Sequence, residues 1–371
     1  MSSAVPPLRV AVIGLGMVAQ LVYVPLLQRR RDRFHVVALC DPNAAARDAV
    51  GDQLGVASQD RVATVDEIAR RTDLDGALVL TSGSHAPASR ALLDAGVPVL
   101  VEKPLAYTLA EVDTLAQGAD RLLLGYMKLF DPAVQAAVAA VDQLGPLRAA
   151  DVTVLHPSNE RQIHHLGWNP PPPPPADPAQ ARDLARLQTD ALGPEAAEQL
   201  GPIYTNVLLG SVVHDLAVLR SLIGDPQAVD RAEHWEGPSG LSVGFDGRAG
   251  DVRVSMRWHL LPEHPSYREE VRLHGEHGSL RLEFPAPYVL HAPTQFELTA
   301  ADGPDEKRIS RISYGEAFAR QLDAFEQMAR GVAAPASSVA EGRADVLTCQ
   351  RIASALAGAK GLPISGEAAA S

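Results

Sequence analysis

A lysine followed directly by proline at the end of an apolar run is well placed for proton transfer in this 371-residue chain. Lys103 lies in Glu102-Lys103-Pro104, after Val97-Pro98-Val99-Leu100-Val101. Proline fixes the chain direction and biases the residue before it towards extended geometry, which aims the lysine side chain. A partly buried lysine holds its proton less tightly and can act as acid or base on a hydroxyl. Taken alone, the tripeptide also reads as an exposed turn. A second motif tips the reading. Residues 8–19, LRVAVIGLGMVA, run from an apolar strand into Gly14-Leu15-Gly16-Met17-Val18-Ala19. Such a turn leaves backbone N–H groups free at a helix start, where a pyrophosphate can sit against the main chain. Gly14 makes the tight turn, Gly16 admits the phosphate, and Met17 and Val18 complete the cradle. Ala19 stands where the fingerprint has its third small residue.

A second apolar run, 34–40, ends in Asp41, which is 25 residues beyond Gly16. An acid there accepts hydrogen bonds from the adenosine ribose hydroxyls and repels a 2′-phosphate. No arginine follows immediately, so the sequence predicts NAD over NADP. Asp41-Pro42-Asn43 is also a good turn and helix start. Thr81 and Ser82, after a third strand, are placed to touch the nicotinamide ribose, and His85 to border the nicotinamide or to cap a helix. Glu102 and Lys103 face the same cofactor side. Tyr126 and Lys128 follow the last strand, where a cation can hold substrate oxygens. His156, Glu160, His164 and His165 have spacings of four that suit a metal on a helix. Pro157-Ser158-Asn159 disrupts that helix, so no metal site is expected.

The elements that must position these groups alternate. Apolar strands at 8–13, 34–40, 76–81, 97–101 and 121–126 are separated by helix-like segments near 17–30, 43–54, 65–71, 86–95 and 108–117. That pattern implies parallel strands with crossover helices, whose ligands bind at the strands' carboxyl ends. From about Lys128 the texture changes: a helix near 131–142, a strand at 149–155, a helix at 206–223, then strands at 241–246, 251–260, 268–274, 279–284 and 294–299. These read as an antiparallel sheet, closed by helices near 315–330 and 340–359. The expected fold is α/β: a Rossmann doubly wound parallel sheet over 1–127, then an α+β domain with a largely antiparallel open sheet over 128–371. Six prolines, Pro170 to Pro175, mark residues 157–203 as a Pro-rich insertion or loop.

The net charge of −12 and pI of about 5.4 argue against nucleic acid, whose partners carry clustered cations. The one basic cluster, Arg29, Arg30, Arg31 and Arg33, reads as a solvated helix end. Two cysteines, Cys40 and Cys349, are too few for a disulfide framework and suit a reducing compartment. The N-terminal residues show no leader, and no stretch is expected to span a bilayer. A cytoplasmic protein follows from these readings.

Together, Gly14-x-Gly16-x-x-Ala19, Asp41, Thr81-Ser82-Gly83-Ser84-His85, Glu102-Lys103-Pro104 and Gly125-Tyr126-Met127-Lys128 resemble the Gfo/Idh/MocA oxidoreductases, the glucose-fructose oxidoreductase and inositol dehydrogenase family. The resemblance continues through Gly145-Pro146, the helix around His214 ending at Gly224, and the hairpin from Gly275 to Leu280. It implies NAD(P)-dependent oxidation or reduction of sugars, polyols and related compounds, and an open sheet that supports a homodimer or homotetramer. It transfers the catalytic acid/base to Lys103 and an assisting, substrate-orienting role to His214. Many relatives carry an acid four residues before that histidine. Here the position is Gly210, which leaves Asp215 as the nearby acid, although adjacent residues do not share a helix face. The resulting expectation is an NAD-dependent dehydrogenase or reductase of a secondary alcohol or ketone. The alternatives are a redox-cycling lyase or hydrolase with tightly held NAD, and a non-catalytic NAD-dependent sensor.

Overall fold

The computed structural model describes residues 5–173, 177–226, 228–236, 239–247 and 251–370. The chain divides into two compact units. The first holds residues up to Tyr126 with Trp168–Leu184 and Gln321–Arg343; the second holds Met127–Gly167, Ala185–Arg320 and the chain from Ala344.

In the first unit β1 (Leu8–Ile13), α1 (Val24–Arg29), β2 (Phe34–Cys40), α2 (Ala44–Leu54), β3 (Arg61–Val62), α3 (Val65–Ala69), β4 (Gly76–Val79), α4 (Ala86–Asp94), β5 (Val99–Val101), α5 (Leu109–Asp113) and β6 (Leu122–Leu124) alternate as expected. The strands form one sheet in the order β3-β2-β1-β4-β5-β6, every pair parallel. Helices cover both faces of such a sheet, which is why β1, β4, β5 and β6 are apolar almost without alternation. Asn43 caps α2, its side chain accepting from the Ala45 and Ala46 N–H groups, and Thr64 with Glu67 forms a capping box on α3.

The helix expected from residue 17 begins instead as a π-wound turn, Ala19–Tyr23, in which the Val24 N–H reaches the Ala19 carbonyl five residues back. Pro25, at the start of α1, has no N–H to lose there. The arginine cluster is also more than a solvated helix end. Arg30 pairs with Asp323 at 2.7 Å, and Arg33 pairs with Asp323 and Glu326, so the cluster ties this region to a C-terminal helix. β3, two residues long, was beyond reading because so short a run carries no periodicity.

The remaining chain gives α6 (Pro132–Ala140), β7 (Leu147–His156), α7 (Asn159–Ile163), α8 (Pro178–Leu192), α9 (Pro194–Pro202), α10 (Val213–Ile223), β8 (Ala228–Trp235), β9 (Gly240–Gly247), β10 (Val252–Leu260), β11 (Arg268–Gly275), β12 (Gly278–Phe284), β13 (Gln295–Asp302), β14 (Asp305–Ile312), α11 (Ala317–Ala329) and α12 (Val339–Lys360). The eight strands pair in the order β14-β13-β12-β11-β7-β10-β9-β8. All pairs are antiparallel except β10 with β7. β10 alternates inward Val252, Val254, Met256 and Trp258 with outward Arg253, Ser255 and Arg257, the signature of a sheet covered on one face. α6 packs on β12 and β13.

Among the described residues of 157–203, three helices stand where a loop was one expectation. α8 and α9 bury Leu187, Ala191, Leu192, Ala196 and Leu200. Pro178 and Pro194 fall at helix starts, where a missing N–H costs nothing, while Pro202 lies at the end of α9. Pro170–Pro173 has no regular structure, and Pro174 and Pro175 lie outside the described residues. The helix expected from 206 likewise begins earlier: α9 runs into a π-wound stretch, Ile203–Val212, and then into α10. By length and composition this run, Pro194–Ile223, could cross a membrane, contrary to the sequence expectation. Yet 67% of its most apolar window is buried within the fold, as in a core helix.

Candidate functional site

The first unit gathers the glycine turn, Asp41, Thr81, His85 and Lys103 beyond the carboxyl ends of β1, β2, β4 and β5. Gly14 sits at φ +87°, and a Cβ there would lie 2.5 Å from the Thr81 backbone nitrogen, so only glycine fits. A Cβ on Gly16 would meet nothing within 4 Å, leaving its backbone open to a phosphate. Ala19 is fully buried, as the packing role of the third small residue requires. Asp41 uses one carboxylate oxygen to accept the Leu15 N–H at 2.7 Å and the other to accept the Asn43 N–H at 2.8 Å. The acid is thus bound to the glycine turn itself and oriented beside it.

Arg47 changes the surroundings of that acid. One turn into α2, its guanidinium donates to the Asp41 backbone carbonyl. A cation therefore stands beside Asp41 although none follows it immediately in sequence. The available signal was helical spacing, since Arg47 lies four residues after the cap Asn43.

Around Lys103 the supports are buried. Glu102 accepts from the Tyr23 hydroxyl at 2.6 Å, and its other oxygen accepts the Lys103 N–H at 3.2 Å. Tyr23 in turn accepts from the Gln321 side-chain amide at 2.8 Å. Burial raises the Glu102 carboxyl above its ordinary range, against the lowering effect of Tyr23 and Lys103. Gly125 leaves room for this residue, because a Cβ there would lie 2.8 Å from the Val101 carbonyl and 3.1 Å from the Glu102 Cα. His85, buried at the start of α4, places Nδ1 2.6 Å from the Pro104 carbonyl, and its backbone N–H donates to the Leu105 carbonyl at 3.2 Å. Burial lowers its pKa to about 4, with the Lys103 charge acting the same way against backbone groups of Pro104 and Thr81. A neutral ring then donates from Nδ1 to Pro104. His85 therefore braces the segment that carries Lys103. The Lys103-Pro104 peptide is cis, and Lys103 is half-buried. Tyr126, expected to meet substrate, is 1% exposed and belongs to the core of this unit.

The second unit holds the other candidates. His214 and Asp215 open α10 directly after the π-wound stretch, a distortion frequent at functional sites. Gly210 lies within that stretch, where a Cβ would come within 3.2 Å of the Thr205 carbonyl. Lys128, expected to be a free cation for substrate, is buried and ion-paired with Glu269, with its ammonium 5.0 Å from the Phe284 ring centre. Tyr267 donates to Glu269 as well. Burial and then Glu269 push the Asp215 carboxyl well above its ordinary range, whereas Lys128 holds Glu269 below its own despite burial. The two carboxyls are thus pushed in opposite directions, Asp215 up and Glu269 down. Sequence reading missed Glu269 and Tyr267. The signal was a glutamate in register with inward Val271 and Leu273 on β11, where an apolar residue is the rule.

His156 ends β7 with its ring 5.8 Å from Trp258 and 5.7 Å from Tyr267, while Glu160, His164 and His165 are exposed. Among the described residues no group of His, Cys, Asp and Glu is gathered to hold a metal.

Residues 8–126 match the model of the GFO_IDH_MocA oxidoreductase family, NAD-binding Rossmann fold. This match to the Gfo/Idh/MocA family spans the first unit's sheet, about a third of the chain. It is 32% identical over 143 residues to a putative UDP-kanosamine synthase oxidoreductase subunit of Amycolatopsis mediterranei, covering 38% of this chain and 39% of that one. The match to the inositol 2-dehydrogenase of Corynebacterium glutamicum spans a similar share, 38% of that protein's length, at 30% identity. The myo-inositol dehydrogenase Hyg17 of Streptomyces leeuwenhoekii is 27% identical over 96% of this chain and 99% of its own. Among solved structures, the aldose-aldose oxidoreductase of Caulobacter crescentus shares the fold at TM-score 0.70 and 19% identity, over 95% of this chain and 98% of that one. The 3-ketoreductase KijD10 of Actinomadura kijaniata, solved with TDP-benzene and NADP, does so at TM-score 0.69 and 16% identity, over 94% and 98%.

Proposed function

We propose that this protein is an NAD-dependent oxidoreductase acting on a secondary alcohol or ketone of a sugar, polyol or sugar derivative. The observation that carries the reading is the bracing of Lys103 by Glu102 and His85 on the same sheet edge as the glycine turn. The residues fit a dinucleotide: the open backbone at Gly16 would take the pyrophosphate, and Asp41, held against the glycine turn, would accept from the ribose. The bound nicotinamide supplies hydride acceptance or donation. In the oxidative direction Lys103 takes the hydroxyl proton as the carbon gives up its hydride, so the carbonyl forms without net charge on the substrate. His214 orients the substrate or relays that proton. The names of the relatives, inositol dehydrogenases and sugar oxidoreductases among them, support this substrate class.

Asp41 favours NAD, and Arg47 beside it softens the exclusion of NADPH. Comparing dissociation constants of NADH and NADPH tests the preference, and tighter NADPH binding overturns it. A panel of sugars, polyols and keto forms, with Lys103→Met in parallel, tests the reaction; turnover that survives the substitution sinks the lysine assignment. Gly210, in place of the acid many relatives carry, favours a second reading, redox cycling on a retained NAD, which shows substrate conversion without net NADH.

A homodimer or homotetramer formed through the outer face of the second unit's sheet fits the family. That face is charged, not apolar. Partial burial would raise Glu270, yet Arg272, Arg281 and Arg268 of the same chain hold it at about 2. Both cysteines are buried and unbridged, which supports a reducing, cytoplasmic setting.

A further inference from the structure

The segment Trp168–Pro173, which enters the proline run, is tied at one end beside the glycine turn and at the other beside Asp41. Trp168 donates from its indole N–H to the Gln20 side-chain carbonyl at 3.0 Å. Gln20 itself donates to the Leu15 carbonyl at 2.7 Å, inside the glycine turn. Four residues further on, the Pro172 carbonyl accepts from the Asn43 side-chain amide at 2.9 Å, and the Asn43 N–H is held by Asp41. One end of the span is therefore fixed to the pyrophosphate loop and the other to the ribose acid, and Leu15 with Asp41 closes the ring beneath. Between the two ties the prolines keep the span extended with little entropy to lose on ordering. Pro170, Pro172 and Pro173 are exposed, so the span is held by its ends.

We propose that Trp168–Pro173 is a cofactor-retaining strap, which closes over the adenosine half of the bound dinucleotide through the Trp168–Gln20 and Asn43–Pro172 hydrogen bonds. Release of the cofactor then requires one tie to break. This rests on the dinucleotide reading of the glycine turn and is independent of what Lys103 does.

The test measures NADH dissociation from the full-length chain by rapid mixing. Trp168→Phe keeps an aromatic ring but cannot donate, and Asn43→Ser keeps a helix cap but cannot reach Pro172. Each is expected to speed release about fivefold to tenfold, the effect of one net hydrogen bond. Untying either end frees the strap, so the double variant is expected to release hardly faster than the singles. NADH quenching of tryptophan emission should fall in Trp168→Phe, because only three tryptophans are present. Unchanged release in both single variants overturns the strap while leaving cofactor binding intact. Faster association with unchanged release also overturns it, since the segment then obstructs the site. A wild-type chain that binds neither NADH nor NADPH overturns the dinucleotide reading and the strap with it.

Discussion

The two units hold their candidate residues by different physics. Around Lys103 the supports are mostly neutral groups and backbone: a histidine kept uncharged, a tyrosine, a glutamine and a buried carboxyl. Around Asp215 the supports are ions, with Lys128 and Glu269 paired out of water and the Asp215 carboxyl pushed up by burial and by Glu269. Neutral supports fix a side chain's direction without fixing its charge, which suits a group that must gain and lose a proton. A buried ion pair does the reverse: it holds its charges in place and makes the loss of either partner costly.

The sharpest break in this comparison is Lys103→Met, expected to lower kcat by about 10³-fold while NADH binding stays within a few-fold; titration with NADH alongside turnover checks both. On the other side, Glu269→Gln leaves Lys128 buried without its counter-charge. Stability should fall by about 3–5 kcal/mol, read from urea midpoints, and a loss below about 1 kcal/mol would mean that water reaches Lys128.

Acid titration sharpens the contrast. His85 has a folded pKa of about 4, against 6.5 ordinarily, so the unfolded chain binds its proton first. The stability it confers is complete above pH 6.5 and is lost as pH falls towards 4, by up to about 3 kcal/mol. His85→Gln should flatten that slope, and parallel curves would refute it. Asp215, raised instead of lowered, carries the opposite sign: its neutral form is favoured at acid pH, and that contribution is lost as pH rises through its folded value.

The smallest effects separate two glycines. Gly14→Ala meets backbone at φ +87° and should cost about 2 kcal/mol or more in stability. Gly16→Ala meets nothing, so stability should hold while NADH binding weakens; equal stability losses would show that the two glycines do the same job.

The first unit was legible because its parts follow one another along the chain: strand, glycine turn, acid, strand, lysine. Turn chemistry and apolar runs are local signals, and they placed Gly14, Asp41 and Lys103 at strand ends without further information. Tyr23, Gln321 and the tryptophan tie were not legible, because their partners lie 79, 298 and 148 residues away. The second unit's cluster was hidden for a related reason. Lys128 read as a free cation because nothing near it in sequence announces Glu269, 141 residues on. Proline content misled over residues 157–203, where two prolines start helices instead of preventing them. β14 escaped because its residues are almost all exposed, so it lacks the alternation that marks a half-buried strand.

The Gln321–Tyr23–Glu102 chain bears on synthesis. The brace behind Lys103 draws on residue 321, so a growing chain that has long since released β1 to β6 still lacks it. Until α11 leaves the ribosome, Glu102 has Tyr23 but not the amide that steadies Tyr23. The first unit is thus the first begun and among the last completed, and the lysine's surroundings are finished only when nearly the whole protein is there to use them.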